Sequence, residues 1–116
     1  MSGKLKIGLD PQGSGVAVVR MTGRLDFTSV TEARDQFASA IAAGHRQLIV
    51  DLSKVEFVDS AGLGSLIGGM RVARQAGGDL RIASPSEQSR MLLSLTSLDQ
   101  VLKISPTLKE ALRDVS

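Results

Sequence analysis

The apolar run Leu48-Ile49-Val50, closed by Asp51, constrains the fold more than any other stretch. It is short and does not alternate with polar residues. A run of that kind is a strand covered on both faces, and such strands belong to sheets with helices packed against them. Helical patterns flank it on both sides. Upstream, Ser29-Val30-Thr31-Glu32 matches the capping box S-x-x-E, and Val30, Ala33, Phe37, Ala40 and Ile41 follow at helical spacing as far as Gly44. Downstream, Leu63, Leu66, Ile67 and Met70 carry a helix from about Ser60 to Gln75, which Gly77-Gly78 ends.

The remaining segments extend the same alternation. Leu5, Ile7 and Leu9 alternate with polar residues or glycine, as in a half-buried strand. Pro11 to Gly15 is a turn, and Val16 to Met21 is a second strand that Thr22 to Asp26 brings to its end. So short a link makes an antiparallel hairpin. Gln47 to Asp51 is the third strand and Asp79 to Ala83 the fourth. Ser84-Pro85-Ser86-Glu87 reads as another capping box with Pro at the first helical position, ahead of a helix holding Met91, Leu92, Leu95 and Leu98. Val101 to Ile104 is a short last strand. Thr107 then caps a helix of Leu108, Ala111, Leu112 and Val115. After the hairpin every link between strands passes through a helix, which makes those strands parallel. The expected architecture is α/β. It is one domain over residues 1–116, with a mostly parallel five-stranded sheet, one antiparallel edge strand and four helices.

Several classes of chemistry are excluded. The 116 residues contain no Cys, so there is no thiol catalysis, disulfide or thiolate metal site. The one His, His45, precedes the third strand, whereas Ser60 follows it. Five strand residues at ~3.3 Å each put them about 17 Å apart, far beyond the ~3 Å that a serine nucleophile and its base require. No Gly-rich stretch ends in Gly-Lys-Ser/Thr, and Gly62 to Gly68 misses G-x-G-x-x-G because Ile67 stands at the third glycine. The acidic residues form no metal-ligand cluster. The sequence therefore predicts no enzyme, no cofactor and no metal. A net charge of +2, three Phe and no Trp or Tyr argue against direct nucleic-acid binding. No window approaches the ~20 apolar residues of a membrane span, and the N-terminus has no signal-peptide run. A cytoplasmic location without membrane insertion is expected.

In parallel sheets, sites gather beyond the carboxyl ends of the strands. Asp26 follows the second strand, Asp59 and Ser60 the third, and Ser84 the fourth, so the topology predicts all four along one edge. Asp59 and Ser60 stand at the mouth of a helix, where side-chain oxygens satisfy free N–H groups and the positive end favours a phosphate. Gly62, Gly64, Gly68 and Gly69 each cost that helix about 1 kcal/mol relative to Ala. They point to close approach by the sheet or by a partner.

The stretch Val55 to Gly69, VEFVDSAGLGSLIGG, resembles the signature of STAS domains, and within them the bacterial anti-sigma factor antagonists. Gly23-Arg24-Leu25-Asp26 adds to the resemblance, which extends from the first strand to the last helix. It implies that Ser60 is the phosphorylation site, with Asp26 and Asp59 beside its hydroxyl. It also implies a partner-binding surface of Asp26, Asp59, Ser60, Ala61, Gly62 and Leu63. The unphosphorylated form would bind an anti-sigma factor that is also a serine kinase, freeing the sigma factor. Phosphorylation would end that binding, and a separate serine phosphatase would restore it. STAS domains also serve as subunits of transport or stress-sensing complexes, which is the alternative implication.

Overall fold

The computed structural model describes residues 4–115. Met1, Ser2, Gly3 and Ser116, the ends of the expected domain, lie outside the described residues. The elements are β1 (Lys6–Gly13), β2 (Val16–Leu25), α1 (Val30–Ala42), β3 (Gln47–Val58), α2 (Ser60–Gln75) and β4 (Asp79–Ala83). After them come α3 (Glu87–Leu95), a 3-10 turn at Leu98–Gln100, β5 (Lys103–Ser105) and α4 (Leu108–Val115). The sheet order is β1-β2-β3-β4-β5. β1 pairs antiparallel with β2, and the other pairings are parallel. The expected sheet, with one antiparallel edge strand and four helices, is the observed one.

Two cores explain the run that does not alternate. Leu48 and Val50 of β3 join Ala17, Val19 and Met21 of β2 in the larger core, which α1, α2 and α3 close with residues such as Phe37, Leu66 and Leu93. Ile49 joins Val16, Val18 and Ala83 in a smaller core on the other face, beneath Ala111 of α4. Successive strand residues point to opposite faces, so a strand with a core on each side is apolar throughout.

Six boundaries differ from the sequence expectation. β1 runs on to Gly13 through part of the expected turn, and β2 runs on to Leu25. β3 does not stop at Asp51 but continues to Val58. Its second half pairs with Thr22–Leu25 of β2 across two irregularities in register, between Arg20 and Thr22 and between Gly23 and Arg24. Each irregularity breaks the period of two, so the segment does not read as strand. α3 starts at Glu87 and is capped by Ser86, whose hydroxyl accepts from Ser89 N at 3.1 Å. Ser84 has φ of 54°, in the left-handed region, and Pro85 therefore precedes the cap instead of opening the helix. Leu98 lies outside α3, on the 3-10 turn, and the last strand runs from Lys103 to Ser105. Ser29 stands at the N-cap of α1 but makes no capping bond to it. Thr107 does cap α4, accepting from Glu110 N at 3.1 Å.

Along β3, β4 pairs with Gln47–Asp51 and no further, so β2 and β3 outrun it. Where the neighbouring strand is missing, Gln88 of α3 takes its place. Its side-chain oxygen accepts from Val58 N at 3.0 Å, and its amide nitrogen donates to Val58 O at 2.8 Å.

Candidate functional site at the β3–α2 junction

Asp59 ends β3 in an extended conformation and caps α2. Its Oδ1 accepts from Gly62 N at 2.8 Å, and its Oδ2 accepts from Phe27 N at 3.1 Å. Its own N–H donates to Leu25 O at 3.3 Å. One carboxylate thus joins the first turn of α2 to the loop after β2. Ser60 is the first residue of the helix and is exposed.

The glycines divide by role. A Cβ on Gly62 would run into the carbonyl oxygen of Leu25, and one on Gly69 would lie 2.6 Å from Phe37. These two let α2 seat against the end of β2 and against α1. Around Gly64 and Gly68 nothing lies within 4 Å of an added Cβ.

Asp26 organises the loop after β2. It is buried, with 9% of its surface exposed. Its Oδ1 accepts from Thr28 Oγ1 at 2.6 Å and from Thr28 N at 3.0 Å. Its Oδ2 faces Arg24 Nε at 3.4 Å. The Thr28 hydroxyl is the largest influence holding this carboxyl below the ordinary aspartate range. Loss of hydration opposes it, and the Thr28 N–H and Arg24 add to the lowering. The Arg24 guanidinium in turn lies over the ring of Phe57, 4.4 Å from its centre. Ser29 works within the same loop. Its hydroxyl donates to Arg24 O at 3.0 Å and accepts from Asp26 N at 3.1 Å, which is why it does not cap α1.

The register Leu25↔Val58 brings Asp26 and Asp59 to the same end of adjacent strands. Ser84 is not with them. β4 ends at Ala83 opposite Asp51, short of the point where β2 and β3 finish, so the expected four-residue edge is reduced to Asp26, Asp59 and Ser60. Ala61 is half-buried, whereas Gly62 and Leu63 are buried, with Leu63 only 3% exposed. Asp26, Gly62 and Leu63 therefore place the loop and the helix end and present little surface of their own. Ser65 is fully buried, and its hydroxyl donates to Gly62 O at 2.6 Å. Ser53, expected in a loop, is an exposed residue of β3. His45 precedes β3 at the far end from Ser60.

Phe27 is the residue that sequence reasoning missed. It is 75% exposed, in a loop where an apolar residue belongs to no periodic pattern. The available signal was its place directly after Asp26. Among the described residues no group of three or more His, Asp or Glu could hold a metal ion. None of the described helices is long and apolar enough to cross a membrane.

The arrangement presents an exposed hydroxyl at the positive end of a 16-residue helix, where a phosphate is electrostatically favoured.

Comparison with known proteins gives a consistent result. The STAS domain family matches residues 10–111. A protein of Thermotoga maritima named a putative anti-sigma factor antagonist is 34% identical over 79 residues, covering 68% of this chain and 70% of its own. The crystal structure of an anti-sigma factor antagonist from Mycobacterium paratuberculosis superposes with a TM-score of 0.86 at 26% identity, covering 99% of this chain and 98% of its own. The structure of the anti-sigma factor antagonist SpoIIAA in its unphosphorylated form gives 0.81 at 26% identity, covering 95% and 96%.

Proposed function

The chain belongs to the STAS domain family, and on that premise we propose that it is an anti-sigma factor antagonist switched by phosphorylation of Ser60. The unphosphorylated form binds an anti-sigma factor that is also a serine kinase, and the sigma factor is released. The kinase transfers phosphate from ATP to Ser60 and the complex dissociates. A separate serine phosphatase restores the free hydroxyl. This chain takes the part of a regulatory binding protein, in the cytoplasm where such a kinase meets ATP.

The observation that carries the reading is the position of Ser60. Its hydroxyl is exposed at the N-terminus of α2, immediately after the Asp59 cap, while Ser65 is buried. The names of the relatives point the same way. The alternative of a subunit in a transport or stress-sensing complex has less support, because the likeness to transporter structures is below 20% identity and is one of fold alone.

The switch needs no unfolding. Phosphoserine adds about −1.5 to −2 charges near neutral pH. The helix end returns roughly 0.3–2 kcal/mol of that, and the neighbouring Asp59 carboxylate opposes it. The free protein should keep nearly its original stability. Binding responds more strongly. One like charge on the partner at ~6 Å, in an effective dielectric near 20, costs about 2.8 kcal/mol, which is a hundredfold in affinity.

The test is to incubate the purified protein with the anti-sigma factor kinase of its source organism and ATP, and to map the modified residue. Ser60 should carry the phosphate, and Ser60→Ala should abolish modification. Labelling that persists in Ser60→Ala refutes the assignment.

A further inference from the structure

Three large apolar side chains stand more than half in water among the described residues, Phe27 at 75%, Leu95 at 78% and Met91 of α3 at 61% exposure. Their settings differ. Leu95 is the last residue of α3. Phe27 lies in a loop tied down around it. Its own N–H is held by Asp59, Asp26 and Thr28 are bonded to each other, and the Ser29 hydroxyl returns to Arg24 O. The other two Phe are used by the fold, Phe37 in the larger core and Phe57 beneath Arg24. Phe27 alone among them is left mostly in water.

A ring on a pre-ordered loop loses little freedom on binding and brings a large apolar area. Interfaces concentrate their affinity in such anchors, surrounded by contacts that exclude water. The Asp59 carboxylate holds Phe27 N with one oxygen and Gly62 N with the other, so Ser60 and Phe27 flank a single side chain. A protein that reaches the Ser60 hydroxyl therefore meets Phe27.

We infer that Phe27 is the apolar anchor of the partner-binding surface, entering an apolar pocket on the anti-sigma factor kinase. The inference rests on the antagonist reading given above. Phosphate on Ser60 then places its charge beside Asp59, the side chain that holds the backbone of the anchor.

The experiment measures the affinity of the purified anti-sigma factor kinase for the parent protein, Phe27→Ala, Phe27→Leu and Leu95→Ala. Phe27→Ala should weaken binding about 30-fold, which corresponds to about 2 kcal/mol. Phe27→Leu should recover most of that loss, and Leu95→Ala should bind within twofold of the parent. Thermal melting of Phe27→Ala should match the parent, because the ring is not packed. A kinase that binds the parent and Phe27→Ala within threefold overturns the anchor and leaves the antagonist reading standing. A kinase that does not bind the parent at all overturns both.

Discussion

The two ends of α2 are each finished by an aspartate, and the two aspartates do opposite things. At the N-terminus, Asp59 accepts only backbone N–H groups, from Gly62 and Phe27, and Ser60 is left in water. At the C-terminus, Asp79 at the start of β4 accepts from Arg74 Nε at 2.9 Å and Leu80 N at 2.9 Å, with Lys103 Nζ at 3.4 Å. Arg74, in the last turn of α2, also donates to Val101 O at 3.1 Å. Loss of hydration pushes the Asp79 carboxyl up. The Arg74 hydrogen bond, the Leu80 N–H, the Arg74 charge and Lys103 together outweigh it, and the net direction is down. The closed end joins α2, β4 and β5. The open end keeps a hydroxyl and a ring available. A single helix thus has one end tied into the sheet and one end left open to water.

The sharpest way to break that contrast is at Ser60. Ser60→Glu should weaken kinase binding about a hundredfold, roughly 2.8 kcal/mol. Its thermal melting and far-UV circular dichroism should stay close to the parent's. Asp79→Asn should leave binding and phosphorylation unchanged. If Ser60→Glu loses its cooperative melt, the open end is structural and the contrast fails.

Glycine substitution comes next. Gly62→Ala forces a Cβ onto the Leu25 carbonyl and should cost about 1–3 kcal/mol in urea unfolding. Gly64→Ala meets nothing within 4 Å and should stabilise by up to about 1 kcal/mol. Equal effects at the two positions would mean that α2 is not seated on the end of β2.

Asp59→Ala removes the cap and should cost about 1 kcal/mol. It should also free the Phe27 amide, seen as faster hydrogen exchange there and as reduced binding or phosphorylation. An unchanged Phe27 amide would show that Asp59 does not hold the loop. Asp26→Asn should lower binding or phosphorylation with the fold intact, because it weakens the same loop. Normal values for both in that variant would return Asp26 to a purely local duty.

The smallest effect is in acid. The Asp79 carboxyl is lowered in the folded state, so its stabilisation is present at neutral pH. That contribution is lost as pH falls below the ordinary aspartate range, about pH 4. The melting temperature of Asp79→Asn should therefore fall less steeply than the parent's between about pH 4 and 2. Parallel curves would show that the network at the closed end contributes nothing measurable, a common result for exposed ion pairs.

The sequence made α2 legible at both ends, because Asp59 and the paired glycines are local signals. β4 was equally clear. The second half of β3 was not, since two irregularities in register break its alternation and its partner lies far away in sequence. The pairing of Asp26 with Asp59 followed from topology alone. The exclusion of Ser84 did not, because it depends on how far β3 outruns β4. Ser29 misled as a cap because Arg24 O and Asp26 N compete for its hydroxyl, and neither competitor belongs to the helix. Phe27 was invisible because an exposed residue in a loop belongs to no period.

Gln88 has a consequence for how copies of this chain behave in a crowd. Where β3 runs past β4, its backbone would be an open template for a strand from another molecule, the usual beginning of edge-to-edge aggregation. The Gln88 amide offers one acceptor and one donor to the N–H and carbonyl of Val58, as a neighbouring peptide unit would. It satisfies Val58 with a side chain that cannot be extended by further strands. At that point the strand leading into the open end of α2 offers no template to another molecule.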